Sequence, residues 1–388
     1  MKILFISSRV PFPLDKGDKL RAYHFIKQLN KNHEVLLFCL SEEKISELQT
    51  LELKKIASKV YIFHLSKANI LFNLFKALFS GKPFQVGYFF SGKAKREIEI
   101  LNSIHQPQAV FCQLIRTAEY AQNINPQLKL IDIMDALSKG IERRIPNEKF
   151  LFRQVLKLEL WRLKKYENNI SSKFDKSFII SQQDFSYLPK SLQNNCSVIA
   201  NGVDYDFFYP SKNNSKKYDI IFAGNMAYPP NVFAVNFLVK EILPLLKTSF
   251  PNIKLLIAGA NPTLDVLNLK SENTEVSGWI EDIREAYDSS KIFVAPMLTG
   301  SGLQNKILES MAMQLPCITS PLAAKALTNI SKNVPFICEN PNEYVSVISN
   351  LLLDDEQRVR IGEQGREYVI KYYNWSNIAK QLEFNLND

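Results

Sequence analysis

The residues best placed to do chemistry stand together in the stretch GSGLQNKILESMAMQLP, residues 300–316. Gly300 and Gly302 have no Cβ, so the backbone there can turn tightly and approach a ligand closely. A helix is expected to start near Leu303 or Gln304, with its unsatisfied amides and positive dipole end facing whatever sits in the glycine turn. Lys306 falls in the first turn, and Glu309 lies on the same helix face three residues on. A cation and an acid projecting from one amide-rich helix start suit a phosphate beside a diol. The plain alternative is a surface Lys/Glu pair after a loop.

The elements that must hold this stretch read as alternating strands and helices, twice over. In the first half, KILFISS, EVLLFCL, VYIFHL, AVFCQL, KLIDIM and KSFIIS are short apolar runs of the kind that form buried parallel strands. Helical patterns such as Leu20 to Asn32 and Ser41 to Ser58 separate them, which gives a doubly wound α/β domain. The second half repeats the scheme with YDIIFAG, a helix from about Asn231 to Ser249, IKLLIAG, TEVSG, IFVAP, PCITS and VPFICE. Three helical segments close the chain. The expected organisation is an N-terminal domain over 1–200, a linker over 201–216 rich in Asn, Asp, Gly, Ser and Pro, a second domain over 217–370, and a terminal helix over 371–388 packing back on the first domain. Ligands of such sheets bind beyond the carboxyl ends of the strands, so two tandem domains are expected to face each other across a cleft.

Composition narrows the class. The chain has 388 residues, 46% of them hydrophobic, enough for two ordinary domains. No apolar run reaches the roughly 20 residues of a membrane-spanning helix, and MKILFISSRVPFP reads as a strand rather than a signal peptide, so a cytoplasmic protein is expected. The five cysteines are scattered and read as reduced core residues, and the four histidines have no ligand spacing. Net charge is +9, but residues 1–200 hold 31 Lys/Arg against 18 Asp/Glu and residues 201–388 hold 17 against 21. A basic first half fits an anionic membrane or a phosphorylated acceptor as partner. Nucleic acid is not expected, because aromatic and basic residues are not interleaved for base stacking. SSRVPFPLDKGDKLR follows the first strand where a dinucleotide enzyme would carry G-x-G-x-x-G, which disfavours a dehydrogenase.

The motifs FAGNMAYPPNVFAVNFLVKEILPLL, VSGWIEDIREAYDSSKIFVAPM and GSGLQNKILESMAMQLPCITS, preceded by ANGVDYDFFYP, resemble the nucleotide-binding half of a glycosyltransferase family 4 enzyme with the GT-B fold. The start, MKILFISSRVPFPLDKGDKLRAYHFIKQL, is similar to that of the bacterial exopolysaccharide subgroup called PEP-CTERM-associated sugar transferases. The resemblance implies a retaining transfer of a sugar from a nucleotide diphosphate donor, UDP or GDP type, to a hydroxyl of a glycan or lipid-linked acceptor. It implies no cofactor, and no metal, because no carboxylate pair resembles a D-x-D site. Glu309 matches the second of the family's two glutamates, expected on the donor ribose. Ser301 stands where the first would be, which leaves the amides of Gly302, Leu303 and Gln304, with the side chains of Gln304 and Asn305, to hold the sugar. The family's usual Arg and Lys after the FAG strand are absent from NMAYPPN, residues 225–231, so Gly224 and Asn225 are expected at the donor and Lys306 is expected to meet the diphosphate. Gly17 resembles a glycine loop approaching the donor phosphates, with Lys16, Asp18, Lys19 and Arg21 beside it; Asp18, Lys19 and Arg21 are expected on the acceptor side, with solvation of the loop as their plain alternative. Gly278, Trp279 and Ile280 match the strand end where the family holds the base, with core packing as the other use of Trp279. Asp135 stands at a strand end and can orient an acceptor hydroxyl, although capping a helix is the commoner use of such a residue.

Residues 68–90 are dense in Leu and Phe, carry Lys76 and Lys82, and lie in the basic half. They fit either a core helix or a peripheral contact with the inner face of the plasma membrane. A sugar-nucleotide epimerase, or an inactive relative that binds nucleotide sugar without turnover, would share the same fold.

Overall fold

The apolar runs of the first half become strands β1 (Lys2–Ser7), β2 (Glu34–Ser41), β3 (Lys59–His64), β4 (Ala109–Gln113), β5 (Leu128–Met134) and β6 (Lys176–Ile179), joined by the short β7 (Cys196–Val198). A computed structural model describes residues 1–211, 215–300, 302–331 and 333–387. Among these residues the first unit holds one parallel sheet in the order β3-β2-β1-β4-β5-β6-β7. Its central strands are buried on both faces, β4 throughout and β1 from Ile3 onward, which is why they read as unbroken apolar runs rather than alternating ones.

The second unit repeats the scheme with β8 (Tyr218–Ala223), β9 (Leu255–Ala258), β10 (Thr274–Gly278), β11 (Ser290–Ala295), β12 (Cys317–Thr319) and β13 (Phe336–Ile337), in the order β10-β9-β8-β11-β12-β13. Every strand pair in both sheets is parallel. Strand order reverses between β1 and β4 in one sheet and between β8 and β11 in the other, so each unit has its crevice outside the carboxyl ends of those strands. The expected pair of doubly wound α/β domains is thus present.

Boundaries differ from the expectation in two places. Residues 1–200 form the first unit together with the chain from Ile378 onward, and Asn201–Asn377 form the second. The expected linker is therefore fastened down over its described part, residues 201–211, 215 and 216. Asn201 is fully buried, Val203 N donates to Tyr373 O at 2.7 Å, and Arg366 donates to the carbonyls of Phe208 and Tyr205. Its turn-forming composition reflects irregular backbone, not looseness. The last helix, Trp375–Asn387, begins in the second unit and continues from Ile378 in the first, where Asn32 Nδ2 donates to Glu383 at 2.6 Å and Ser197 Oγ to Asn385 at 3.0 Å.

Local signals explain most helix ends. The expected helix over Ser41 to Ser58 is shorter, Glu47–Ile56, because Ser41 ends β2 and Ser46 forms a capping box with Gln49. The run from Pro229 to Lys247 starts with two prolines and widens to a π-turn over Leu238–Ile242. Pro244, just beyond, has no N–H to give and crowds the carbonyl one turn earlier.

Candidate functional site

Residues 300–316 lie between β11 and β12, at the strand-order reversal of the second unit. Gly300 and Gly302 adopt φ of +110° and +74°, a region that glycine enters without strain. Ser301 lies outside the described residues. Gln304 is the N-cap of the helix Asn305–Ala312, in an extended conformation and without a capping bond from its own side chain, so the helix begins one residue later than expected. Leu303 is buried, so only its backbone is available to a ligand. Asn305 Oδ1 accepts from Asn201 Nδ2 at 3.0 Å, which ties the 201–211 segment to the helix start.

Lys306 reaches back over the end of β8. Its Nζ donates to Asn231 Oδ1, lies 3.8 Å from Met297 Sδ, and sits 5.1 Å from the centre of the Phe222 ring. Asn231 in turn donates to Asn225 O at 2.8 Å, and Asn225 Oδ1 accepts from Ala227 N. The turns after β8 and β9 each require glycine where they meet. A Cβ on Gly224 would come within 2.7 Å of Asn231 Nδ2, and one on Gly259 within 1.9 Å of Gly224 O. Burial among apolar neighbours pulls the Lys306 ammonium down to about 7, with Glu309 opposing the shift. Glu309 accepts from the buried Tyr287 hydroxyl at 3.1 Å. Burial raises its pKa, while the Tyr287 bond and Lys306 hold it down. One helix therefore aims a cation at the glycine turn of β8 and a positioned carboxylate one turn further along.

At the end of β10, Gly278 has φ of +70° and its carbonyl accepts from Gly259 N at 3.1 Å. Trp279 is 67% exposed and Ile280 half-buried. Trp279 is therefore no part of the core, and its indole face is open to a flat ligand.

In the first unit Gly17 opens the helix Gly17–Leu29. Asp18 pairs with Arg9 and lies 3.8 Å from Arg116, while Lys19 pairs with Asp15 at 2.8 Å. Arg21 is the clear correction. It is fully buried and grips Asp132 with two bonds of 2.7 and 2.9 Å over the Phe25 ring, so it fastens the helix to β5 and cannot touch an acceptor. Asp135 is half-buried and does not cap the next helix, whose N-cap is Ala136 without a side-chain bond. Burial pushes its carboxyl up to about 7, Asp184, Asp18 and Asp132 adding to the rise and Arg116 opposing it. Beside Asp18 stand two arginines that sequence reasoning missed, Arg9 and Arg116, both over the Phe89 ring; Arg116 also acts on Asp135. A cavity of about 250 Å³ lined by Arg9, Lys16, Lys19, Lys44 and Glu42 opens beyond β1 and β2.

Asn231, Tyr287 and Met297 were also missed. Asn231 reads as a helix-start residue after two prolines, and nothing local marks the other two. Among the described residues no three His, Cys, Asp or Glu side chains are grouped to hold a metal ion, all five cysteines are free, and no helix is long and apolar enough to cross a membrane.

Comparison with known proteins bears on the fold and on the second unit. Residues 217–354 match the family described as Glycosyl transferases group 1. An uncharacterized 44.6 kDa protein in the cps region of Klebsiella pneumoniae is 21% identical over 342 residues, 84% of each chain. The fold matches sucrose-phosphate synthase from Thermosynechococcus elongatus with a TM-score of 0.71 at 15% identity, covering 100% of this chain and 98% of that one. It matches Anabaena HepE in complex with UDP-glucose with a TM-score of 0.70 at 13% identity, covering 100% and 99%. This chain is thus built on the GT-B fold, and its residues 217–354 are similar to the group 1 glycosyl transferases.

Proposed function

We propose that this protein is a retaining glycosyltransferase that moves a sugar from a nucleotide diphosphate donor to a hydroxyl of a glycan or lipid-linked acceptor, without a metal or cofactor, in bacterial exopolysaccharide assembly at the inner face of the plasma membrane. The observation that carries this reading is the Lys306 ammonium, held by Asn231 against the Gly224 turn on the same helix as Glu309. A diphosphate in that turn meets the lysine and the amides of the helix start, which stabilise the negative charge that grows on it as the glycosidic bond breaks. Glu309 takes the ribose hydroxyls, and Trp279 offers its exposed ring to the base. In the first unit Asp135, a carboxyl with a pKa near neutrality, receives or orients the acceptor hydroxyl. The UDP and UDP-glucose bound to HepE favour a uridine donor, and the cps-region relative favours a surface-glycan role.

A nucleotide panel tests the reading. UDP or GDP species are expected to raise the melting temperature while oligonucleotides leave it unchanged, and mass spectrometry of reactions with a donor panel and polyprenyl-diphosphate-linked acceptors is expected to show one added sugar. Donor consumed with no acceptor modified would identify an epimerase instead. Within the same assay Glu309→Gln is expected to weaken donor binding by about 1.5–3 kcal/mol, the range for a lost charged hydrogen bond. Turnover at saturating donor should hold, because the ribose is unchanged during the reaction. A fall in kcat with unchanged donor affinity would remove Glu309 from the ribose.

A further inference from the structure

We propose that two helices of the first unit, Lys67–Ser80 and Phe150–Ile170, form a joint docking surface for an anionic lipid bilayer. The first of them is apolar on two faces. Ile70, Leu74 and Ala77 point into the core, and Asn73 donates to Phe90 O. The opposite face carries Leu71, Phe72, Phe75, Leu78 and Phe79, of which Phe79 is 79% exposed. Folding of the unit uses only the inner stripe, so the outer one is left for a partner. The second helix repeats the pattern. Leu156, Leu163 and Ile170 are buried, whereas Phe150, Leu151, Val155, Leu158 and Trp161 face out, with Leu151 80% exposed.

One turn of the second helix fastens the pair. Arg162 donates to the carbonyls of Ala77 and Leu78 at 2.8 and 2.7 Å, closing the end of the first helix, where a cation suits both the orphan carbonyls and the dipole. Glu159 accepts from the amides of Phe84 and Gln85 at the start of the next helix. The polar residues of this turn are thus directed inward, and the aromatic ones outward.

Charge decides the partner. No Asp or Glu occurs between Leu65 and Arg96. The two acids of the second helix, Glu159 and Glu167, are buried, and Glu148 just before it is paired with Arg144. Lys67, Lys76, Lys82, Lys149, Lys157, Lys164 and Lys165 are exposed around the apolar stripes. Lys82 is paired with the buried Glu119 and Lys164 with the partly exposed Glu142, which leaves an excess of lysines; large aromatic and aliphatic side chains ringed by that excess suit the boundary of acyl chains and negatively charged headgroups. A second copy of this basic surface would be repelled.

The surface is independent of the transfer reaction, although it would bring the enzyme to a lipid-linked acceptor. The full chain is mixed with extruded vesicles of phosphatidylcholine alone or of equimolar phosphatidylcholine and phosphatidylglycerol and sedimented. Binding to the anionic vesicles is expected to be tighter by at least about tenfold. The pair Phe75→Ser with Phe79→Ser, and separately Phe150→Ser with Leu151→Ser, are each expected to lose about tenfold in that binding, with melting temperature unchanged because all four side chains are exposed. Equal binding to both vesicles, unchanged binding by the variants, or loss confined to one pair would overturn the joint anionic-lipid surface. So would lipid-free dimerisation that the same substitutions abolish. Vesicle binding without any thermal shift by UDP or GDP would leave this surface standing and remove the transfer reaction.

Discussion

Lys306→Met lowers kcat by about 10²–10³ while the protein folds normally, the effect expected when a preorganised donor to developing negative charge is removed. The side chain is half-buried at the end of β8, with its ammonium on Asn231. Only its cationic form can stabilise a departing diphosphate. Because burial brings the group to about 7 in the free protein, the cation is lost as pH rises through neutrality, so kcat/KM for the donor falls on the alkaline side with an apparent pKa near 7. A bound diphosphate favours the charged form and raises that pKa, so the alkaline limb of kcat lies at higher pH. In Lys306→Met the limb disappears. Steady-state rates between pH 5.5 and about 9 check both effects. Near-normal turnover by the variant at saturating donor would remove the lysine from the diphosphate and leave the helix amides as the stabilising group.

Arg21→Ala destabilises the first unit by about 3–5 kcal/mol, because it leaves the Asp132 carboxylate buried without its partner. The double replacement Arg21→Met with Asp132→Leu recovers most of that loss, since no uncompensated charge remains. Urea unfolding followed by circular dichroism measures both variants. The experiment also separates the two roles open to this arginine. A variant that keeps full stability and loses only acceptor affinity would restore Arg21 to the substrate side and contradict its complete burial.

The strand runs and the glycine-to-helix turn were legible in the sequence because their causes are local. Unbroken apolar runs mark strands buried on both faces, and Gly300, Gly302 and Pro316 bracket the helix that carries Lys306 and Glu309. The seventh strand was not legible. Cys196–Val198 has three residues and takes its conformation from pairing with Ser177 to Ile179 of β6, with no propensity of its own to announce it.

What the sequence by itself determined is therefore the α/β alternation, the two units and the position of the helix start, each a matter of neighbouring residues. Tertiary structure decided the partners. Asn231 stands 75 residues before Lys306 and Tyr287 22 before Glu309, and Arg21 finds Asp132 across 111 residues. The same holds for the expected linker, which Arg366 and Asn305 fasten to the second unit from far along the chain. A charged or amide side chain looks alike in sequence whether it is solvated or buried. Only the packing of strands that are distant in sequence removes the water and fixes which group it must bond, and that choice separates Lys306, with its cation at the glycine turn, from Arg21, whose cation is used up inside the fold.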